Sequence, residues 1–114
     1  MTVTIYHNPR CSKSRETLAL LEAKGVKPEI VCYLETPPSK AQIKELAQKL
    51  GLKSVREMMR TKEDAYGELG LAGASEAALI AAMAENPVLI ERPIVVKGAK
   101  AAIGRPPETV LHIL

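Results

Sequence analysis

The order of segments along the chain predicts an α/β fold with a mixed four-stranded sheet. Three observations carry this prediction: a strand–helix–strand opening, a run of helical segments in the middle, and two short strand-like stretches before a proline-started end. The 114 residues fit one domain with one hydrophobic core, expected over 1–114 with a helical insert at about 39–86.

Composition narrows the class. Apolar residues make up 46% and charged residues 25%, and the aromatics are only Tyr6, Tyr33 and Tyr66, so the core must be aliphatic. A formal charge of +3 suits a small anion, whereas clustered bases with interleaved aromatics, the mark of a nucleic-acid surface, are absent. No apolar run reaches the length of a membrane span, and MTVTIYHNPR lacks the order of a signal peptide. Cys11 and Cys32 form no disulfide framework and no paired zinc motif. A cytoplasmic protein with no metal and no bound cofactor is expected.

The β-branched run from Thr2 to Tyr6, punctuated by Asn8 and Pro9, predicts a first strand. Ser12–Lys24, with Leu18 and Leu21 at helical spacing and Gly25 as the stop, predicts a first helix. Pro28–Leu34 is a near-continuous apolar run, as expected of a parallel strand covered on both faces. Ser39 is a candidate N-cap for an amphipathic helix over Ala41–Leu50, ended by Gly51. Ser54–Arg60 reads as a short helix and Ser75–Glu85 as an alanine-rich one stopped by Asn86-Pro87. Val88–Ile90 and Ile94–Val96 flank Glu91-Arg92-Pro93 at a spacing that suits an antiparallel pair, and Pro107–Leu114 reads as a closing helix.

A βαβ unit followed by a ββα unit is the layout of the thioredoxin-like fold, here with a helical insert. It places Cys11 at or beside the N-cap of the first helix, where unpaired N–H groups and the helix dipole favour a thiolate. Arg10, Lys13 and Arg15 add cations nearby. The residues alone leave two readings, a reactive thiol or a small loop residue. Cys32, inside an apolar strand, reads as a small hydrophobe. Ser14 stands where a CxxC motif has its second cysteine, so the loop cannot form its own disulfide and a redox cycle needs an external thiol. Ser14 is either a partner of the thiolate or a first-turn serine, and His7 either a source of positive charge or a proton, or a solvated loop histidine. Arg92 precedes Pro93 at the position that commonly faces the active loop in this fold and holds a cis proline; Arg105 lies in Gly104-Arg105-Pro106-Pro107, and Arg60 ends the short insert helix. Singly each is an ordinary surface cation. Gathered about Cys11 they would hold a tetrahedral oxyanion through paired donors.

The blocks Tyr6-His7-Asn8-Pro9-Arg10-Cys11-Ser12-Lys13-Ser14-Arg15, Tyr33-Leu34-Glu35-Thr36-Pro37-Pro38, Arg56–Arg60 with Tyr66-Gly67-Glu68-Leu69-Gly70-Leu71, Ile90–Val96 and Gly104-Arg105-Pro106 follow in this order. In them the chain resembles, nearly end to end, a short member of the ArsC-type arsenate reductases coupled to glutathione and glutaredoxin. The resemblance implies attack on arsenate by Cys11, oxyanion binding by Arg60, Arg92 and Arg105, thiol activation at His7 and Ser14, and glutathione and glutaredoxin as co-substrate and partner. Two alternatives share the fold: a regulator of the kind that docks on RNA polymerase, and a glutathione-linked thiol oxidoreductase with another substrate. Ser14 argues against a local disulfide switch of the regulator type.

Overall fold

The computed structural model describes residues 2–114 and contains two compact units, one formed by the chain up to Thr36 together with Arg92–Leu114, the other by Pro37–Glu91. The first unit holds the sheet. Strand β1 (Val3–His7) runs parallel to β2 (Glu29–Cys32), and helix α1 (Ser12–Ala23) connects them; β3 (Ile94–Lys97) is antiparallel to both β1 and β4 (Lys100–Ile103). The sheet order β2-β1-β3-β4 is that of a thioredoxin-like fold, with the mixed four-stranded sheet predicted from the sequence.

Alternation along β1 sends Val3 and Ile5 inward, where they join Leu21, Val95, Ala102 and Val110 in an aliphatic core. That core compensates for the missing Phe and Trp by packing small branched side chains closely. The pairings Tyr6↔Ile94 and Ile94↔Ile103 align the exit of β1 with the entry of β3 and the exit of β4. Three loops, 8–11, 92–93 and 104–105, are thereby brought to one end of the sheet, together with the end of β2 at Cys32, which pairs with His7.

Several expectations are corrected. Strand β2 is an edge strand of four residues with Ile30 exposed, so the apolar run 28–34 does not reflect cover on both faces. The strand with fully buried neighbours of opposite facing is β3, at Ile94 and Val95. The predicted pairing of Val88–Ile90 with Ile94–Val96 does not form. Pro87 instead starts a 3-10 turn over Pro87–Leu89, and Ile90 makes an isolated antiparallel bridge to Met59. The actual hairpin is β3–β4, turning at Gly98 with φ +61°, a conformation glycine adopts without a Cβ penalty. β4 reads KAAI, and alanine's low strand propensity hides it in the sequence. The closing segment Pro107–Ile113 is helical but of the 3-10 type. Helix α1 buries Ser14, Thr17 and Leu21, with Leu18 half-buried against the same core; its polar first turns face the loops that converge there.

The Pro37–Glu91 unit contains α2 (Lys40–Leu50), α3 (Asp64–Glu68) and α4 (Glu76–Glu85). Ser39 and Gln42 form a capping box on α2, Gly51 closes it, and Ser75 caps α4, all as the sequence indicates. The predicted 54–60 helix is a 3-10 turn over Val55–Met58 only. Arg56 ties this unit together. Its guanidinium donates to the Tyr66 hydroxyl, to the Leu71 carbonyl at 2.9 Å and to the Ala74 carbonyl at 3.2 Å. Among the described residues no helix is long and apolar enough to cross a membrane.

Gly104 is held tightly: its N–H donates to the Pro93 carbonyl at 2.9 Å, and a Cβ there would lie 2.5 Å from Thr17 Oγ1 and 2.8 Å from Pro93 Cγ. Gly104→Ala is therefore expected to destabilise the protein by about 1–3 kcal/mol, as overpacking of a tight site does. Urea denaturation checks this, and Gly104→Ala combined with Thr17→Ala should recover part of the loss, giving a non-additive pair.

Candidate active site

β1 ends at His7 and the chain turns at Asn8-Pro9. The Asn8 side-chain oxygen accepts the Arg10 N–H at 3.0 Å, and the Asn8 carbonyl accepts the Cys11 N–H at 3.0 Å. This turn sets Cys11 in extended geometry (φ −93°, ψ 124°) as the N-cap of α1, with its carbonyl accepting the Arg15 N–H at 3.0 Å. The sulfur thus sits beside the unpaired N–H groups of the first helical turn.

Ser14 lies under this turn and is fully buried. Its Oγ accepts the Asn8 N–H at 2.9 Å and lies 3.1 Å from His7 Nδ1. The Ser14 hydroxyl, one acceptor function used on Asn8, can give its hydrogen to Nδ1 or take one from it, according to the His7 tautomer. His7 is not a solvated loop residue. It is the last, buried residue of β1, and burial together with the charge of Arg15 lowers its pKa and keeps it neutral. Arg15 Nη1 donates to the Pro9 carbonyl at 2.9 Å and closes the turn from outside.

Burial is the largest influence on Cys11 and by itself raises the thiol pKa. The Ser14 N–H, the Arg92 charge, the Lys13 N–H and the Arg105 charge, in that order, outweigh it and hold the thiol below its ordinary value. Arg105 Nη2 stands 3.8 Å from Sγ, and Arg105 Nε donates to the Arg92 carbonyl at 2.9 Å. The Arg92–Pro93 and Arg105–Pro106 peptides are both cis. The first unit thus brings together Cys11, His7, Ser14, Arg92 and Arg105.

Arg60 belongs to the helical unit. It follows the 3-10 turn and does not end it; its N–H donates to the Leu89 carbonyl at 2.7 Å and its guanidinium pairs with Glu63 at 3.2 Å. Cys32 is half-buried at the end of β2 and lines a cavity with His7, so it is not a simple core hydrophobe. Sequence reasoning missed the supporting parts played by Asn8, Thr17 and Gly104. The Asn-Pro pair was a turn signal, but the contact of Gly104 with Thr17 joins residues far apart in the chain and left no local trace. Among the described residues no group of three His, Cys, Asp or Glu side chains is placed to hold a metal ion.

A thioredoxin-like sheet with a thiol at a helix N-cap, its pKa lowered in part by two guanidinium charges, defines a class of thiol-bearing proteins. Within that class the chain belongs to the ArsC family, whose model matches residues 6–113. It is 57% identical to an arsenate reductase of Haemophilus influenzae, with 100% of both chains covered. It is 62% identical to the protein YfgD of Escherichia coli, whose function is uncharacterised, over 98% of this chain and 96% of that protein. A solved structure described as an arsenate reductase from Vibrio cholerae superposes with a TM-score of 0.97 at 61% identity, covering 100% of this chain and 98% of the other.

The lowered Cys11 pKa sets a pH signature. Because the folded state favours the thiolate, its contribution to stability is fully present above the unfolded thiol pKa and is lost as pH falls through the folded one. Wild type is expected to gain stability over Cys11→Ser as pH rises through this window, read by urea denaturation at several pH values. The alkylation rate of Cys11 with iodoacetamide should titrate below the ordinary thiol range, and Arg92→Ala should move that midpoint upward.

Proposed function

We propose that this protein reduces arsenate to arsenite, with Cys11 as nucleophile and glutathione and glutaredoxin as the source of electrons. The observation that carries this reading is the Arg105 guanidinium 3.8 Å from the Cys11 sulfur, with the Arg92 charge also acting on that thiol. Fixed cations at this point favour an anionic nucleophile and an anionic substrate together, and they neutralise charge as the As–S bond forms.

The steps balance as follows. The Cys11 thiolate forms a bond to As(V) and displaces one oxygen, which leaves as hydroxide or, once protonated, as water. Glutathione adds to the thioarsenate with loss of a second water. Attack by the glutaredoxin thiol on the glutathione sulfur breaks the As–S(glutathione) bond, forms the mixed disulfide, and leaves both electrons of that bond on arsenic as As(III). Hydrolysis of the remaining As–S bond releases arsenite and restores Cys11. The net change is one arsenate and two thiols to one arsenite, one disulfide and one water. Phosphate and sulfate share the tetrahedral shape, but their central atoms resist reduction by thiols, so the chemistry and not the fit favours arsenate.

The His7–Ser14 pair acts by position. Neutral His7 fixes the Ser14 hydroxyl, and Ser14 in turn presents its N–H to the thiol. Arg60 enters as the third oxyanion ligand through the family resemblance. A cytoplasmic setting, with its glutathione pool, suits a cycle that needs an external thiol.

Arsenate-dependent NADPH oxidation, coupled through glutathione reductase and glutaredoxin, tests the reading. Turnover is expected, with Cys11→Ser inactive. Arg92→Lys and Arg105→Lys should each raise the arsenate KM about tenfold or more, because a point charge replaces a two-pronged donor; Arg60→Ala tests the third cation in the same assay. Absence of arsenate turnover alongside glutathione-dependent disulfide exchange would move the protein to thiol exchange instead.

A further inference from the structure

The reaction needs electrons that the Cys11 loop cannot supply, since Ser14 stands in place of a second cysteine. A reducing thiol must therefore reach Cys11 from outside, and the Arg92 and Arg105 side of the sulfur is committed to the oxyanion. Between the Cys11 loop and the end of β2 lies a cavity of ≈ 260 Å³ lined by His7, Asn8, Pro9, Arg10, Cys32, Leu34 and Glu35. We propose that this cavity is the docking site of the reducing thiol, a small peptide that carries both carboxylate and ammonium groups. The assignment rests on the arsenate reading above for its role, though not for its binding.

Three features select this ligand class. Arg10 and Glu35 bring opposite charges to the lining, and among the described residues no ion pair joins them or ties either to another partner. A carboxylate can meet Arg10 and an ammonium group Glu35, a match that a simple anion or an apolar molecule lacks. His7 is 6% exposed and spends Nδ1 on Ser14, which leaves Nε2 as the ring nitrogen not engaged by Ser14, in a residue that lines the cavity. Pro9, Leu34 and Cys32 supply the apolar surface for a peptide backbone and thiol methylene. The volume falls just below the roughly 300 Å³ at which drug-sized sites begin, a size for a short peptide. Arg10 directly precedes Cys11, so its Cα lies one peptide unit, about 3.8 Å, from that of the nucleophile.

A groove between α1 and the closing 3-10 turn, lined by Lys13, Glu16, Leu20, Pro106, Pro107 and Glu108, is the competing location. Its Lys13 is already paired with Glu16 at 3.5 Å, which weakens it as a zwitterion site.

The test is a ¹⁵N NMR titration of the full chain with S-methylglutathione, which binds without reacting. Saturable shifts are expected at the Asn8, Arg10, Leu34 and Glu35 amides, with Glu35→Gln and Arg10→Gln each weakening binding fivefold or more. In the coupled assay the same variants should raise the glutathione KM by a similar factor while the arsenate KM stays within twofold. Shifts confined to Lys13–Leu20 and Glu108, or none at about 10 mM of the probe, well above the roughly 1 mM limit of ordinary substrate KM values, would overturn the assignment. The binding arm is independent of turnover: shifts at the cavity without arsenate reduction support the site and sink the arsenate reading, whereas turnover with shifts only in the groove sinks the site alone.

Discussion

The close approach of the β4 exit to helix α1 is the constraint on which the candidate site depends. Gly104 has room for no side chain between Thr17 and Pro93, and its N–H is spent on the Pro93 carbonyl. Thr17 for its part donates Oγ1 to the Lys13 carbonyl at 2.8 Å, so the same residue that meets Gly104 braces the first turn of the helix whose N-cap is Cys11. Arg105 follows Gly104 directly and reaches back to both the Arg92 carbonyl and the Cys11 sulfur. Moving this strand exit outward by a methyl group would shift the guanidinium together with its backbone. The placement of Arg105 beside Cys11 is thus set by backbone packing before any charge is considered.

Electrostatics then works against burial. A sulfur this enclosed is pushed toward the neutral thiol, and the fold answers with helix N–H dipoles and two guanidinium groups. Each of these is contributed by a different chain segment, and all meet because the antiparallel pairing of β1 with β3 and of β3 with β4 brings the relevant loops to one end of the sheet. The neutral His7–Ser14 pair adds no competing charge beneath the thiolate. It stabilises the turn by satisfying the half-buried Asn8 N–H, which would otherwise be costly to leave unpaired.

The helical unit follows its own logic. Glu76, at the start of α4, accepts the Val55 N–H at 2.6 Å and the Ser54 hydroxyl at 2.9 Å, while Glu57 closes a capping box on Ser54. Arg56, part of one of the sequence blocks, is spent on carbonyls and Tyr66 inside this unit, so its role there is structural.

The local signals in the sequence determined a good deal. Caps at Ser39 and Ser75, the stop at Gly51, the Asn8-Pro9 turn and the N-cap position of Cys11 were legible because each depends on residues within one turn of the chain. Strand pairing was less so. KAAI carries little strand propensity, and Val88–Ile90 has ample propensity but is captured by Pro87 and Met59, because pairing is decided by which backbone edge lies alongside and not by the strand's own residues. The edge position of β2, the burial of His7 and the contact of Gly104 with Thr17 likewise belong to the tertiary structure. The residue types needed for thiol and anion chemistry were fixed by sequence; the orientation of Arg105 toward sulfur came only from folding, since it joins atoms of residues 94 positions apart, beyond the reach of any periodicity or local preference.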